Sequence, residues 1–312
     1  MQQFDVIGVG INAVDALYCL PARFEIDQKN PTTDAKIQGG GPAGTASCAC
    51  AMLGWNVGFI TPMGNTILSQ IARTEFESRG ISADLFVSYK DASPCFSVIQ
   101  VDPRLATRTI FSQWEGYHSI DQIDVPISPL QQVRVVIADC YEPVAAMAVL
   151  EAIQGTPCRS VLDLETGEPE WLWRMITLGS DIIMPLTAAR DLTGADTPAE
   201  VLRKLAESTN AQLVVTHGTQ GSWALTSNGL YHQPAFEVNA KDTTGCGDVF
   251  HGAYAAGILE GMSLEVRLEF SAWLASLTAT KVGGREALLT RPELLTQDIS
   301  LLSEPLRTFI RD

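Results

Sequence analysis

Short apolar runs alternate along this chain with stretches of helical periodicity, the pattern of an α/β fold built on a mostly parallel sheet. The opening run Phe4-Asp5-Val6-Ile7-Gly8-Val9-Gly10 predicts a buried first strand that ends in glycine, where a ligand can approach the strand's carboxyl end. Helices are predicted from Pro42 to a stop at Leu53-Gly54, and from Asn65 to Arg79 with Gly80 as the terminator. From Val133 the alternation becomes regular, with strands over 133–138, 160–164, 181–184 and 212–216 and helices over 144–153 and 197–208. Thr197-Pro198-Ala199-Glu200 reads as a capping box for the second of these helices. Two regions depart from the scheme. Residues 16–38 contain the alternating Ala35-Lys36-Ile37, and 95–101 with 107–111 form a hairpin about Asp102-Pro103-Arg104. These predict strands projecting from the main sheet as a lid, in segments 16–38 and 92–118. A further hairpin is predicted around Asn228-Gly229, and a last long helix over 264–282.

The chain has 312 residues, enough to bury a full core, and no repeat or linker divides it, so one domain over 1–312 is expected. A net charge of −15 argues against a nucleic-acid surface, which needs clustered Lys and Arg. No basic leader or long apolar run is present, so neither a signal peptide nor a membrane span is expected. The seven cysteines are odd in number and contain no Cys-x-x-Cys pair, which fits free thiols in a reducing cytoplasm.

The richest chemistry lies in Lys241-Asp242-Thr243-Thr244-Gly245-Cys246-Gly247-Asp248-Val249-Phe250, a flexible loop running into a helix of small residues. Amides at Gly245, Cys246 and Gly247 can converge on one point, and the helix dipole adds positive potential there, which suits an anion such as a transferring phosphoryl group. Asp248 beside that point is repulsive unless it takes a proton from an attacking hydroxyl. Each residue alone also fits an ordinary helix cap. Upstream, Gly39-Gly40-Gly41-Pro42-Ala43-Gly44 formally matches a dinucleotide fingerprint. The context excludes it: the preceding segment is polar, and no acid lies between Gly44 and Glu75 to hold a ribose. No Walker-A lysine and no Gly-x-Ser-x-Gly occur, and His118, His217, His232 and His251 lack metal-ligand spacing.

The full string from Asp242 to Phe250 resembles the C-terminal signature of the ribokinase-like (PfkB) family of sugar and nucleoside kinases, with Cys246 at a position where the family carries Ala. The Gly-Gly turn, small-residue helix and Leu53-Gly54-Trp55 segment resemble its N-terminal signature. With the alternation, this implies a three-layer α/β/α sandwich with a β lid. It implies ATP as phosphoryl donor with Mg²⁺, Asp248 as general base and Gly245 to Gly247 as the anion hole. It implies acceptor hydroxyls held by Asn12, Asp15, Gly40, Gly41 and Thr45, where many relatives carry Asn in place of Thr45. Thr216, Gly218, Gly221, Thr244 and Gly247 match the nucleotide segment, and Asp242 with Thr244 match a site for a monovalent cation, K⁺. The partner is a small sugar or a nucleoside, with a homodimer pairing exposed lid faces.

The chain also departs from the family. An Asn-x-x-Glu motif that organises Mg²⁺ in many relatives is missing from the segment 184–194, so Mg²⁺ is expected to rest mainly on ATP phosphates and water. Motif wording is closest to a sulfosugar-kinase branch, and Lys29 matches one of its sulfonate ligands. Ser112 and Tyr141 stand where that branch has Asn and Arg, so a sulfonate would lose its guanidinium fork. A nucleoside kinase, with Phe111, Trp114 or Tyr117 stacking on a base, and a catalytically weak nucleotide-binding homologue are the rival readings.

Overall fold

The computed structural model describes residues 3–311. In chain order its first strands are β1 (Val6–Val9), β2 (Ala13–Cys19), β3 (Ala35–Gly40), β4 (Val57–Met63), β5 (Ile81–Ser82), β6 (Phe86–Ser88), β7 (Cys95–Asp102) and β8 (Thr107–Gln113). The rest are β9 (Val135–Asp139), β10 (Arg159–Asp163), β11 (Asp181–Pro185), β12 (Gln212–Thr216), β13 (Ser222–Thr226) and β14 (Gly229–Gln233). A ten-stranded sheet runs β14-β13-β12-β11-β10-β9-β1-β4-β5, with β6 beside β4. Its pairs are parallel from β12 through β6, and only β13 and β14 are antiparallel.

Alternate residues of these strands feed two separate cores. Val6, Val135, Ile137, Val161 and Ile183 pack under helices Pro42–Met52, Cys246–Leu259 and Leu264–Ala279. Ile7, Val9, Val136, Leu162 and Ile182 pack on the other face with Pro143–Ala152, Pro169–Leu178 and Pro198–Ala206. This is the three-layer arrangement that the period-two pattern implies, because a parallel strand must be covered on both faces.

A separate four-stranded sheet, β3-β2-β7-β8, is built from the two segments expected to form a lid. It begins earlier than expected, at Ala13, so Asp15 is not a turn residue. It sits mid-strand, paired with Gln38 and Ser97. The main sheet changes direction of growth at β1, whose neighbours are β4 on one side and β9 on the other. Such a switch point opens a crevice beyond the strands' carboxyl ends. Asp139, at the end of β9, spans it: its Oδ2 accepts from the amides of Ile11 (3.1 Å) and Ala43 (3.2 Å), and Oδ1 accepts from the Tyr141 amide.

Predicted boundaries hold to within a few residues. The Thr197 capping box forms with Glu200, and the 264–282 helix stops at Ala279. Helices Pro169–Leu178 and Leu186–Thr193 had no sequence assignment.

Candidate active site

The Cys246–Leu259 helix begins in the crevice with Gly245 as its N-cap in the left-handed region (φ 76°) and with no side chain capping it. Its first-turn amides, including those of Gly247 and Asp248, therefore have no partner within the helix. Gly245 is required twice over: a Cβ there would lie 2.4 Å from the Cα of Gly284. Nothing lies within 4 Å of the Cβ position at Gly247, so open space lies beside that residue.

Asp248 does not stand alone. A carboxylate oxygen of Asp248, one of Asp163 and one of Glu165 all lie within 4.8 Å of one another. Burial, then the Asp163 and Glu165 carboxylates, push Asp248 well above the usual carboxylate range. Burial likewise raises Asp163, whose Oδ1 is buried without a hydrogen-bond partner, and Glu165. His251, one turn into the helix, ties this corner together: Nδ1 lies 2.8 Å from the Gly247 carbonyl and 3.3 Å from Asp163 Oδ2. Its other nitrogen, Nε2, lies 3.3 Å from the Ile183 carbonyl. Asp163, at a strand end in the sequence, does face the site. Glu165 follows that strand and carries no periodic or motif signal of its own.

Next to this corner a cavity of about 670 Å³ is lined by Thr216, Gly218, Gly221 and Gly247, all of them residues matched to the nucleotide segment. Phe236 and Val238 on one side, and Ala272, Ala275 and Ala279 of Leu264–Ala279 on the other, make its walls apolar. That volume is on the scale of small-ligand pockets, roughly 300–1,000 Å³. Thr244 is turned away into its own loop. Its amide and Oγ1 donate to Asp242 Oδ1 at 2.9 and 2.7 Å, while Asp242 Oδ2 accepts from the Gly283 amide at 2.8 Å.

On the lid side, strand register puts Gln38, Asp15, Ser97 and Ser112 in one row on the inner face. Ser97 and Ser112 share a hydrogen bond at 3.3 Å. Burial raises Asp15 to about 6 despite the opposing charge of Arg285. The Cβ position of Gly40 lies 2.2 Å from Asp15 Oδ2, and that of Gly41 (φ 87°) lies 2.5 Å from the Ile11 carbonyl, so these glycines make room for the protein's own groups at the mouth of the Pro42–Met52 helix. Asn12 is buried, with Oδ1 unpartnered and Nδ2 3.6 Å from the Met63 sulfur. Thr45 is also buried and accepts a hydrogen bond from Arg285. Lys29 lies on the exposed β2–β3 connection, without an ion pair among the described residues.

The aromatic candidates separate. Phe111 pairs with Val98, which pairs with Ala16, on the outer face of the lid sheet, opposite to Asp15. The expected stacking of Phe111 on a bound base is thereby removed. Tyr117 donates its hydroxyl to Glu142, and Trp114 packs edge-on against Tyr117 and stacks with Tyr141 at 6.0 Å. His118 stacks on Tyr89 at 4.1 Å.

Comparison with known proteins identifies the family and the fold. The pfkB family carbohydrate kinase profile matches residues 9–291. The 5-dehydro-2-deoxygluconokinase of Shouchella clausii is 23% identical over 317 residues, covering 94% of this chain and 95% of that protein. The Thermotoga maritima ribokinase structure superposes with a TM-score of 0.78 at 19% identity, covering 99% of this chain and 100% of that one. The Arabidopsis thaliana ribokinase complexed with ribose and ATP gives 0.78 at 18% identity, covering 95% and 98%.

Proposed function

The chain belongs to the pfkB family of carbohydrate kinases, and from that premise we propose how its residues carry out ATP-dependent phosphorylation of a sugar hydroxyl. The observation that carries the proposal is Asp248 at the open mouth of Cys246–Leu259, beside the cavity lined by Gly218 and Gly247. ATP lies in that cavity, its base between the apolar walls and its phosphates running toward Gly247. The acceptor lies under the lid with hydroxyls on Asp15, Asn12 and the Gly40–Gly41 turn, where unpartnered Asn12 Oδ1 offers an acceptor. Asp248 takes the proton of the attacking hydroxyl as its oxygen bonds to the γ-phosphorus, and the bond to ADP breaks. The free amides of the first turn face the charge that develops. A high pKa makes Asp248 a stronger base once ionised, and the rigid corner around His251 keeps it aimed.

The donor set fits a divalent cation better than the sequence suggested. Asp163 and Glu165 supply hard oxygen ligands clustered beside Asp248, and buried Asp163 Oδ1 lacks any other partner. Those carboxylates would hold Mg²⁺ directly or through its waters, in place of the missing Asn-x-x-Glu. When bound, Mg²⁺ would neutralise phosphate charge. A potassium ion at Asp242 would have to compete with three donors already on that carboxylate, so no step is assigned to it.

A sugar is favoured over a nucleoside because the lid's inner row is polar and Phe111 points outward. Seven free thiols support a cytoplasmic setting. Among the described residues no helix is long and apolar enough to cross a membrane. The lid's outer row leaves Ile37 (61%), Val98 (37%) and Phe111 (61%) exposed, and a second copy pairing lids would cover them.

The test is an ATP-consumption screen against sugars and nucleosides with K⁺ varied, followed by Asp248→Asn on the acceptor found. Turnover is expected to fall about 10²–10⁴-fold, the usual worth of a general base, with ATP still bound. Near wild-type turnover in that variant would remove Asp248 from the chemistry.

A further inference from the structure

The loop 217–221, which lines the nucleotide cavity through Gly218, Thr219 and Gly221, is held from outside itself. Its own hydrogen bonds use the carbonyls of His217, Gly218 and Gly221. The carbonyl of Gln220 is bonded by a residue of another strand: His232 Nε2, on β14, lies 2.8 Å from it. A carbonyl only accepts, so that nitrogen carries the proton. The imidazole has little freedom to turn away. It lies flat on the Trp223 indole, with ring centres 4.3 Å apart and planes 10° from parallel. Trp223 and His232 stand directly opposite each other across β13 and β14, and Trp223 pairs with buried Val215 of β12 on its other side. The row Val215-Trp223-His232 thus runs from the packed sheet to its edge.

The same edge strand leads into another wall of the cavity. β14 ends at Gln233, and the chain beyond it lines the cavity with Ala235, Phe236 and Val238. Gly221 packs so closely on this exit that a Cβ there would lie 2.1 Å from the Gln233 carbonyl oxygen and 2.8 Å from the Ala235 nitrogen. The loop therefore meets β14 and its exit at two points, Gly221 against backbone and Gln220 against the His232 ring. Holding both points sets the spacing between the loop and the 235–238 wall. If one wall were free to move, its ordering would oppose binding of the nucleotide. His232 itself is exposed on an edge strand, where any β-forming residue would satisfy the fold.

We propose that His232 is a positioning residue for the nucleotide: its Nε2–H fixes the loop through the Gln220 carbonyl, Trp223 holds the ring for that bond, and together they keep the cavity at the width of the donor. The proposal rests on the kinase reading of this cavity. It adds a residue that touches neither ATP nor the acceptor and acts on donor affinity alone.

The experiment is titration calorimetry of the full chain with ADP and with the non-hydrolysable triphosphate AMP-PNP, each with Mg²⁺, together with KM and kcat on the acceptor that the screen identifies. His232→Phe keeps a ring on Trp223 and removes the donor. It is expected to weaken both nucleotides about 2–10-fold, the net worth of one hydrogen bond, and to raise KM for ATP by the same factor. Turnover at saturating ATP, KM for the acceptor and the melting temperature are expected to stay at their unaltered values. His232→Gln keeps an N–H donor and is expected to bind both nucleotides more tightly than the phenylalanine variant. Unchanged nucleotide affinity in His232→Phe would overturn the proposal, as would no recovery in His232→Gln. So would a loss shared by KM for ATP, KM for the acceptor and kcat, which marks a general loss of structure. If the unaltered chain bound neither nucleotide, the kinase reading itself would fall. Normal binding with a silent His232→Phe would remove His232 alone.

Discussion

Arg285 Nε donates to Thr45 Oγ1 at 3.1 Å across 240 positions of sequence, and Nη2 of the same guanidinium donates to the Gly40 carbonyl at 2.7 Å. Arg285 is fully buried, with its guanidinium 4.8 Å from the centre of the Phe76 ring. The segment after Leu264–Ala279 thus supports the Gly40–Gly41 turn from behind. At Gly284 it packs on Gly245 of the anion loop. One short stretch of chain braces both halves of the site.

Thr45→Val is expected to leave the buried Nε without an acceptor and to cost about 1–3 kcal/mol, read as a lower urea midpoint. Thr45→Ser keeps the hydroxyl and is expected to restore most of it. KM for the acceptor should rise in the valine variant, because the Gly40–Gly41 turn loses part of its support.

Asp15 gives a pH signature. Its pKa rises from 3.8 in the free side chain to about 6 in the fold, chiefly through burial. An acid with a higher folded pKa binds its proton more tightly in the native state. It therefore adds stability below about pH 4 and loses it as pH climbs through about 6. The loss is on the order of 3 kcal/mol. Asp15→Asn is expected to flatten denaturant stability across that window. If the ionised carboxylate holds acceptor hydroxyls, kcat/KM for the acceptor should rise through the same pH.

Gly245 and Gly247 should separate folding from function. Gly245→Ala forces a Cβ onto Gly284 in a left-handed backbone, and is expected to lower the melting temperature sharply or abolish soluble protein. At Gly247 a methyl group meets open space, so Gly247→Ala is expected to fold with an unchanged or higher melting temperature. Its turnover should nevertheless drop about 10²-fold, the scale of a disturbed oxyanion donor. A fully active Gly247→Ala would show that no phosphate approaches there.

Light scattering after size exclusion should report twice the chain mass for the unaltered protein. Phe111→Lys puts a charge in the row of Ile37 and Val98 and is expected to give the monomer mass. A monomer before substitution would exclude lid pairing.

Some of the site was readable in order along the chain. The Asp242–Phe250 string, the glycines ahead of Pro42 and the strand ending at Thr216 are local patterns, and the structure sets them in a helix start, a turn before a helix and a strand end, while Thr244 turns away into its own loop. Glu165 and Arg285 gave no such signal. Glu165 follows its strand among polar residues, and Arg285 sits in a glycine-rich loop where burial of a cation is not the default.

By itself the sequence determined the alternation of strands and helices, the glycine-flanked start of the Cys246–Leu259 helix and the acid beside it, because these depend on neighbours a few positions apart. Only the tertiary structure decided which distant charges meet: Asp163 and Glu165 against Asp248, Arg285 under Thr45. Those contacts follow from strand order and from the packing of one loop on another. Side-chain periodicity says which face a residue occupies, but it does not say what lies opposite.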